Sequence, residues 1–211
     1  MESRSGETIT VLIADDHPLM RSGIAAVLSA DPRFSVVAEA EDGEDAIEQY
    51  KRHHPGVTLM DLQMPRTDGI EATAAIRRLD SRACIIVLST YGGDVQVARA
   101  LKAGASGYLL KNLARNELCS YIAAVHAGQR QLPQQVACSL ASSFQQDALS
   151  KRELEVLRYV ADGNSNQRVG VCLGLREDTI KAHMKTILQK LNARDRTHAV
   201  TIALRRGYWE N

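Results

Sequence analysis

The sequence predicts an α/β domain on a five-stranded, doubly wound parallel sheet, followed by a smaller all-α domain of four helices. Three observations carry this. From Ile9 to about Gly128, short apolar runs alternate with amphipathic helical stretches, the signal of repeated β-α units on a parallel sheet. A stretch rich in Gln and Ser then intervenes, and after it only helical periodicity remains. Charge changes sign across the same divide: residues 149–211 hold 12 Lys and Arg against 7 Asp and Glu, leaving 14 against 18 for the rest. An acidic first part and a basic second part point to a second part that meets nucleic acid.

Five apolar runs serve as strands: Thr10–Ala14, Ser35–Ala40, Val57–Asp61, Cys84–Ser89 and Gly107–Leu110. Between them, Met20, Ile24, Val27 and Leu28 fall at helical spacing behind Pro18, a residue suited to a first turn, and Leu118, Ile122 and Val125 repeat the pattern. Five strands and five helices result over residues 8–128. Residues 129–148, with Pro133, read as a linker that has room for one short helix. Residues 149–211 carry four helical patterns: Lys151–Ala161, Gln167–Leu173, Glu177–Leu191 and Arg196–Arg205.

The composition excludes several classes. No apolar stretch approaches the roughly 20 residues that a membrane span needs, and Met1–Glu7 is polar, so a cytoplasmic protein without membrane contact is expected. Cys84, Cys119, Cys138 and Cys172 lie far apart and form no CxxC pair, which signals neither zinc nor a disulfide framework.

In an open parallel sheet, ligands bind beyond the carboxyl ends of the strands, where strand order reverses. The first strand ends in Asp15 and Asp16, the third in Asp61 and the fourth in Ser89, and Lys111 follows the fifth. Each alone has a structural explanation as a cap or an ion-pair partner; five on one rim are a constellation. Three neighbouring carboxylates repel unless a cation neutralises them, and an all-oxygen site suits Mg²⁺. A carboxylate can act as a nucleophile toward a phosphoryl group, with metal and lysine stabilising charge on the transferred oxygens and Ser89 bonding one of them.

Asp15-Asp16, Asp61-Leu-Gln-Met-Pro65 with Asp68-Gly69, Ser89-Thr90 and Gly107-Tyr-Leu-Leu-Lys111 resemble the receiver domain of two-component response regulators over roughly Ile9 to Gly128. The resemblance implies a flavodoxin-like fold and an Asp61 that accepts phosphate from a sensor histidine kinase. It further implies that Asp16 and Asp61 ligate Mg²⁺, that Asp15 holds it through water, and that Gln63 adds a backbone carbonyl. Ser89 and Tyr108 would be the switch pair, and Lys111 would report the phosphate to the face formed by the fourth strand, fourth helix and fifth strand. Asn112 departs from the family's usual Asp or Pro after the lysine.

In a helix-turn-helix pair the first helix needs a small residue at the crossing, the turn a glycine and the second helix an apolar anchor. Gly170, Gly174 and Ile180 meet these needs. Ile180, Met184, Ile187, Leu188 and Leu191 form one apolar face, so Ala182, Lys185 and Gln189 point away from the core, with Lys181 and His183 on the flanks. These residues, with Thr179, are the candidate contacts to the major groove of double-stranded DNA. Leu149-Ser-Lys-Arg-Glu-Leu-Glu-Val-Leu157 and Thr179-Ile-Lys-Ala-His183 resemble the LuxR-type four-helix domain of the NarL/FixJ class. That resemblance implies base-facing roles for Lys181, Ala182 and Lys185, a dimerisation role for the last helix, and a homodimer that forms on phosphorylation. Arg176 stands where the family usually has a capping Ser or Thr, and Gly170 where it usually has Ala. Tyr208 and Trp209 are unusual at the C-terminus; two roles are open, packing on the domain, which is favoured, or extending a dimer contact.

Two rival readings remain at this stage. A metal-dependent phosphohydrolase would place a carboxylate two residues after its nucleophile, where Gln63 stands. A receiver serving only as a dimerisation module would not need the intact acidic set. The expectation is a DNA-binding transcriptional regulator that catalyses only its own phosphoryl transfer and dephosphorylation.

Overall fold

In the computed structural model, which describes residues 8–90, 93–111, 115–129 and 148–209, the five apolar runs form one parallel sheet. Its strands are β1 (Ile9–Ala14), β2 (Phe34–Ala40), β3 (Val57–Asp61), β4 (Ile85–Ser89) and β5 (Gly107–Leu110), ordered β2-β1-β3-β4-β5. Strand limits differ from the sequence expectation by one residue at Ile9, Phe34 and Ile85, within the usual fraying of element ends. The chain divides into two compact units, residues 1–90 with 97–136 and residues 91–96 with 137–211. The expected linker helix, Cys138 and the turn at Asn112 lie outside the described residues.

The strands alternate with α1 (Pro18–Ser29), α2 (Gly43–His53), α3 (Gly69–Leu79), α4 (Asp94–Ala103) and α5 (Arg115–His126). Pro18 opens α1 as expected, since a first-turn residue needs no N–H partner. Asp42 caps α2 by accepting from the amides of Glu44 and Asp45, and Asp68 caps α3 by accepting from Glu71. Successive strand residues point to opposite faces, so the sheet buries two clusters. Val11, Ile13, Leu59, Ile86, Leu88 and Leu109 pack with Leu28 of α1 and Ile122 of α5. Leu12, Ala14, Met60 and Ile85 pack with Tyr50 of α2 and Ile76 of α3. Every residue of β3 and β4 is buried, which is why these two runs read as mostly apolar rather than alternating.

β5 is an edge strand, and an edge leaves backbone polar groups in need of partners. The Tyr121 hydroxyl of α5 meets two of them: it accepts from the Tyr108 amide at 3.1 Å and donates to the Tyr108 carbonyl at 3.2 Å. Burial pushes the Tyr121 phenol above its usual pKa, so it remains a donor at neutral pH. Tyr121→Phe removes this partner from both groups in a buried setting and is expected to cost about 1–3 kcal/mol, read as a lower thermal midpoint. An unchanged midpoint would remove the hydroxyl from the account of the edge.

The basic unit consists of α6 (Lys151–Ala161), α7 (Asn166–Leu173), α8 (Glu177–Leu191) and α9 (Arg196–Arg206). Val156, Leu157, Val169, Ile180, Met184, Ile187, Leu191, Ala199 and Ala203 form its core. Ser150 and Glu153 make a reciprocal capping box at the start of α6. Tyr208 is buried, its hydroxyl accepts from the Leu149 amide at 3.3 Å, and Trp209 packs against the same core, as expected for the pair.

Glu153 also ties α6 to α8: its Oε2 lies 2.9 Å from Lys190 Nζ. Burial would raise this carboxyl, but Lys190 and the Ser150 amide outweigh it and hold its pKa below the usual glutamate range. A folded-state pKa depressed in this way contributes stability that is complete above the unfolded value of about 4.3 and is lost as pH falls through the folded value. Glu153→Gln should therefore lower the melting temperature at pH 7 and narrow its gap to the parent as the pH drops below about 4. A gap independent of pH would show that packing, not charge, is what Glu153 contributes.

Candidate functional site

The chain runs from β1 outward to β2 and then returns to β3 on the other side, so the sheet reverses order between β1 and β3. The carboxyl ends of those two strands frame the crevice that such a reversal leaves open. Asp15 follows β1 and is fully buried; Asp61 ends β3 and is 2% exposed. Lys111, directly after β5, places Nζ 2.8 Å from Asp61 Oδ2 and 2.9 Å from Asp15 Oδ2. One lysine thus bridges the two buried carboxylates.

The surroundings set the charge state. Burial pushes the Asp61 carboxyl up to about 6, with Asp15 adding to the rise and Lys111 opposing it. Burial acts to lower Lys111, yet Asp61 and Asp15 hold its pKa above the ordinary lysine value. Asp15 is oriented by two contacts: its Oδ1 accepts from the His17 amide at 2.9 Å, and its carbonyl accepts from Arg21 Nη1 at 2.6 Å. Asp16 is half-buried at the crevice mouth.

Asp15, Asp16, His17 and Asp61 each present a ligand atom within 4.8 Å of the others. His17 was not singled out from the sequence; its ring Nδ1 lies 2.6 Å from Asp16 Oδ1. The DDH run was a visible signal, but oxygen-ligand chemistry drew attention only to its carboxylates. Three carboxylates against one lysine leave an excess of negative charge, and hard oxygen donors in that arrangement fit a divalent cation of the Mg²⁺ type.

Ser89 ends β4, beside β3, and is 3% exposed; Tyr108 in β5 is fully buried, so the ring expected to turn inward lies in the interior. Gln63 is exposed in the loop after β3. That loop returns tightly: the Gly69 amide donates to the Leu62 carbonyl at 3.1 Å, and a Cβ at Gly69 would overlap the Asp61 carbonyl oxygen. Asp68-Gly69 is therefore fixed by close approach as well as by capping.

In the basic unit, α7 and α8 meet as a helix-turn-helix pair. Gly174 sits at φ 64° at the end of α7, in the left-handed region where glycine is at ease. A Cβ on Gly170 would lie 2.7 Å from the Leu175 carbonyl oxygen, so this glycine is required by the crossing. Arg176 caps α8 without a side-chain bond, and Glu177 and Asp178 occupy the first turn, as the sequence implied. Thr179, Lys181, Ala182, Lys185 and Gln189 are exposed, His183 is half-buried, and Ile180, Met184, Ile187 and Leu191 face the core. Lys181 Nζ pairs with Glu177 at 3.1 Å and Asp178 at 3.3 Å, contacts on its own helix rather than toward open groove. Lys185 makes no ion pair among the described residues.

The model of the response regulator receiver domain matches residues 11–123, and that of the luxR family of bacterial regulatory proteins matches residues 147–203. The chain belongs to the NarL/FixJ-type response regulators. This regulator is 39% identical over 205 residues to the transcriptional regulatory protein LiaR of Bacillus subtilis (strain 168), covering 93% of this chain and 97% of that one. It is 33% identical over 202 residues to the nitrate/nitrite response regulator protein NarL of Escherichia coli (strain K12), covering 92% and 94%. Among solved structures, the two-component response regulator RcsB-DNA complex aligns with TM-score 0.70 and 28% identity over 94% of this chain and 99% of that chain. The regulator thus joins a receiver to a LuxR-type DNA-binding domain in a family of transcriptional regulators rather than of metabolic enzymes. No helix among its described residues is long and apolar enough to cross a membrane.

Proposed function

We propose that Asp61 is the phosphoacceptor of this regulator and that its phosphorylation by a sensor histidine kinase promotes homodimerisation and binding to promoter DNA. The observation that carries this reading is the Lys111 bridge between two buried carboxylates at the strand-order reversal. An Asp61 oxygen attacks phosphorus as the bond to the kinase imidazole breaks and the leaving nitrogen takes the electron pair. Lys111 would stabilise the oxygens that gain charge, and Ser89 at the end of β4 would hydrogen-bond one of them. Asp16, Asp61 and the Gln63 carbonyl would hold Mg²⁺, with Asp15 acting through water; when bound, the ion neutralises charge on the transferred oxygens. Hydrolysis of the acyl phosphate in the same crevice would return the regulator to its resting state.

Residues 8–128 serve as the receiver and residues 149–211 as the DNA-binding domain in this reading, with Ser89, Tyr108 and Lys111 relaying the phosphate. Thr179, Lys181, Ala182, His183, Lys185 and Gln189 face the major groove, and α9 contributes to the dimer, which would occupy half-sites about 10 base pairs apart. Acetyl phosphate with Mg²⁺, followed by intact mass, tests the first step. Light scattering and operator affinity at one fixed salt concentration test the second. Equal dimer content and equal affinity with and without phosphate would sink the coupling.

A further inference from the structure

We propose that Asp42 and Arg66 form a clamp that positions the loop after β3, and through it the metal-binding side of the Asp61 site. The consequence for phosphorylation rests on the reading of Asp61 given above; the clamp itself does not.

Asp42 belongs to the turn between β2 and α2, yet it is fully buried. Oδ1 caps α2, accepting from Glu44 at 2.8 Å and Asp45 at 2.9 Å. The other oxygen, Oδ2, is directed at the guanidinium of Arg66, in the loop between β3 and α3. Arg66 holds φ 65°, a left-handed conformation that costs free energy for a residue with a Cβ. Such a conformation persists only when the surroundings over-determine it: the Thr67 amide donates to the Pro65 carbonyl at 2.8 Å across Arg66, and the buried carboxylate meets its side chain.

The contact is reinforced by shape. A Cβ on Gly43, beside Asp42, would overlap the Thr67 carbonyl, so the turn before α2 seats directly against the loop. On the loop's other side Gly69 meets the Asp61 carbonyl with no room for a side chain. Residues 62–69 are thereby held between the α2 cap and the end of β3. They include Gln63, whose carbonyl faces the metal in the functional reading. An ordinary surface ion pair contributes little because water competes for both partners. This one differs: the carboxylate is withdrawn from water, so loss of the guanidinium leaves a buried charge without its partner.

The test uses the full-length chain and Arg66→Ala, Arg66→Gly, Arg66→Lys and Asp42→Asn, the last retaining a cap acceptor while losing the charge. Arg66→Ala should raise the Mg²⁺ concentration for half-maximal phosphorylation by acetyl phosphate roughly tenfold, the scale on which groups behind metal ligands act. The rate at saturating Mg²⁺ should change little, and Arg66→Lys should restore most of the Mg²⁺ response. Arg66→Gly, which relieves the backbone but lacks the guanidinium, should behave like Arg66→Ala, as should Asp42→Asn. Hydrogen exchange of residues 62–69 should quicken in the three impaired variants and stay near parental elsewhere in the receiver. An unaltered Mg²⁺ response, or a loss confined to the saturated rate and the melting temperature, overturns the positioning role. If the parent chain takes no phosphate at all, the functional reading fails, and unaltered exchange over 62–69 then overturns the clamp on its own.

Discussion

Asp61→Asn should be recovered from acetyl phosphate and Mg²⁺ as a folded protein of unaltered mass, while the parent chain gains one phosphate. The amide matches the carboxylate in shape, so the end of β3 and its neighbours in the sheet have no reason to move. It lacks the anionic oxygen that attacks phosphorus, and that loss is all-or-none rather than graded. Lys111 keeps a partner, because Asp15 Oδ2 lies 2.9 Å from its Nζ independently of Asp61. The variant should therefore retain the circular dichroism and solution mass of the unphosphorylated parent, and it should not gain dimer or operator affinity on treatment. Addition of one phosphate to this variant would move the acceptor elsewhere in the chain.

Lys185→Ala should reduce operator affinity by about 1–3 kcal/mol if the ammonium reaches a base edge, with phosphorylation unaffected. Lys185 lies on the outward face of α8 with Ala182 and Gln189, and it makes no ion pair among the described residues. Lys181 is the contrast. Glu177 and Asp178 already pair with it and raise its pKa, so moving it onto DNA means exchanging those partners. Lys181→Ala is accordingly expected to cost less than Lys185→Ala. Affinity measured across operator variants and across salt separates the roles of Lys185: a base contact relaxes preference at one position, whereas a phosphate contact weakens all sequences alike and lowers the salt slope by about one. Parental affinity in Lys185→Ala on every sequence would remove α8 from the groove in this orientation.

The sequence by itself determined the strands, the order of the helices, the Asp15, Asp16, Asp61 and Lys111 set, and the apolar face of α8. Each is a periodic or local property: alternation along a strand, 3.6-residue spacing, or a residue type at a strand end. Two other features departed from the family pattern. Gly170 stands where Ala is usual and answers the need for a small residue at the crossing, which leaves no room for a Cβ beside the Leu175 carbonyl. Tyr208 and Trp209 read as unusual, and prove to close the core of the basic unit.

What only the tertiary structure decided are the contacts between segments distant in sequence. Tyr121 reaches the backbone of Tyr108 across an edge, Glu153 meets Lys190, and Asp42 meets Arg66. No spacing rule links these residues, since a side chain's partner across a core depends on where two independent elements dock. The pairing of Lys181 with Glu177 and Asp178 lies between the two cases. Helical spacing permits it, but an exposed side chain of this length has several rotamers, and only the structure shows which one it takes.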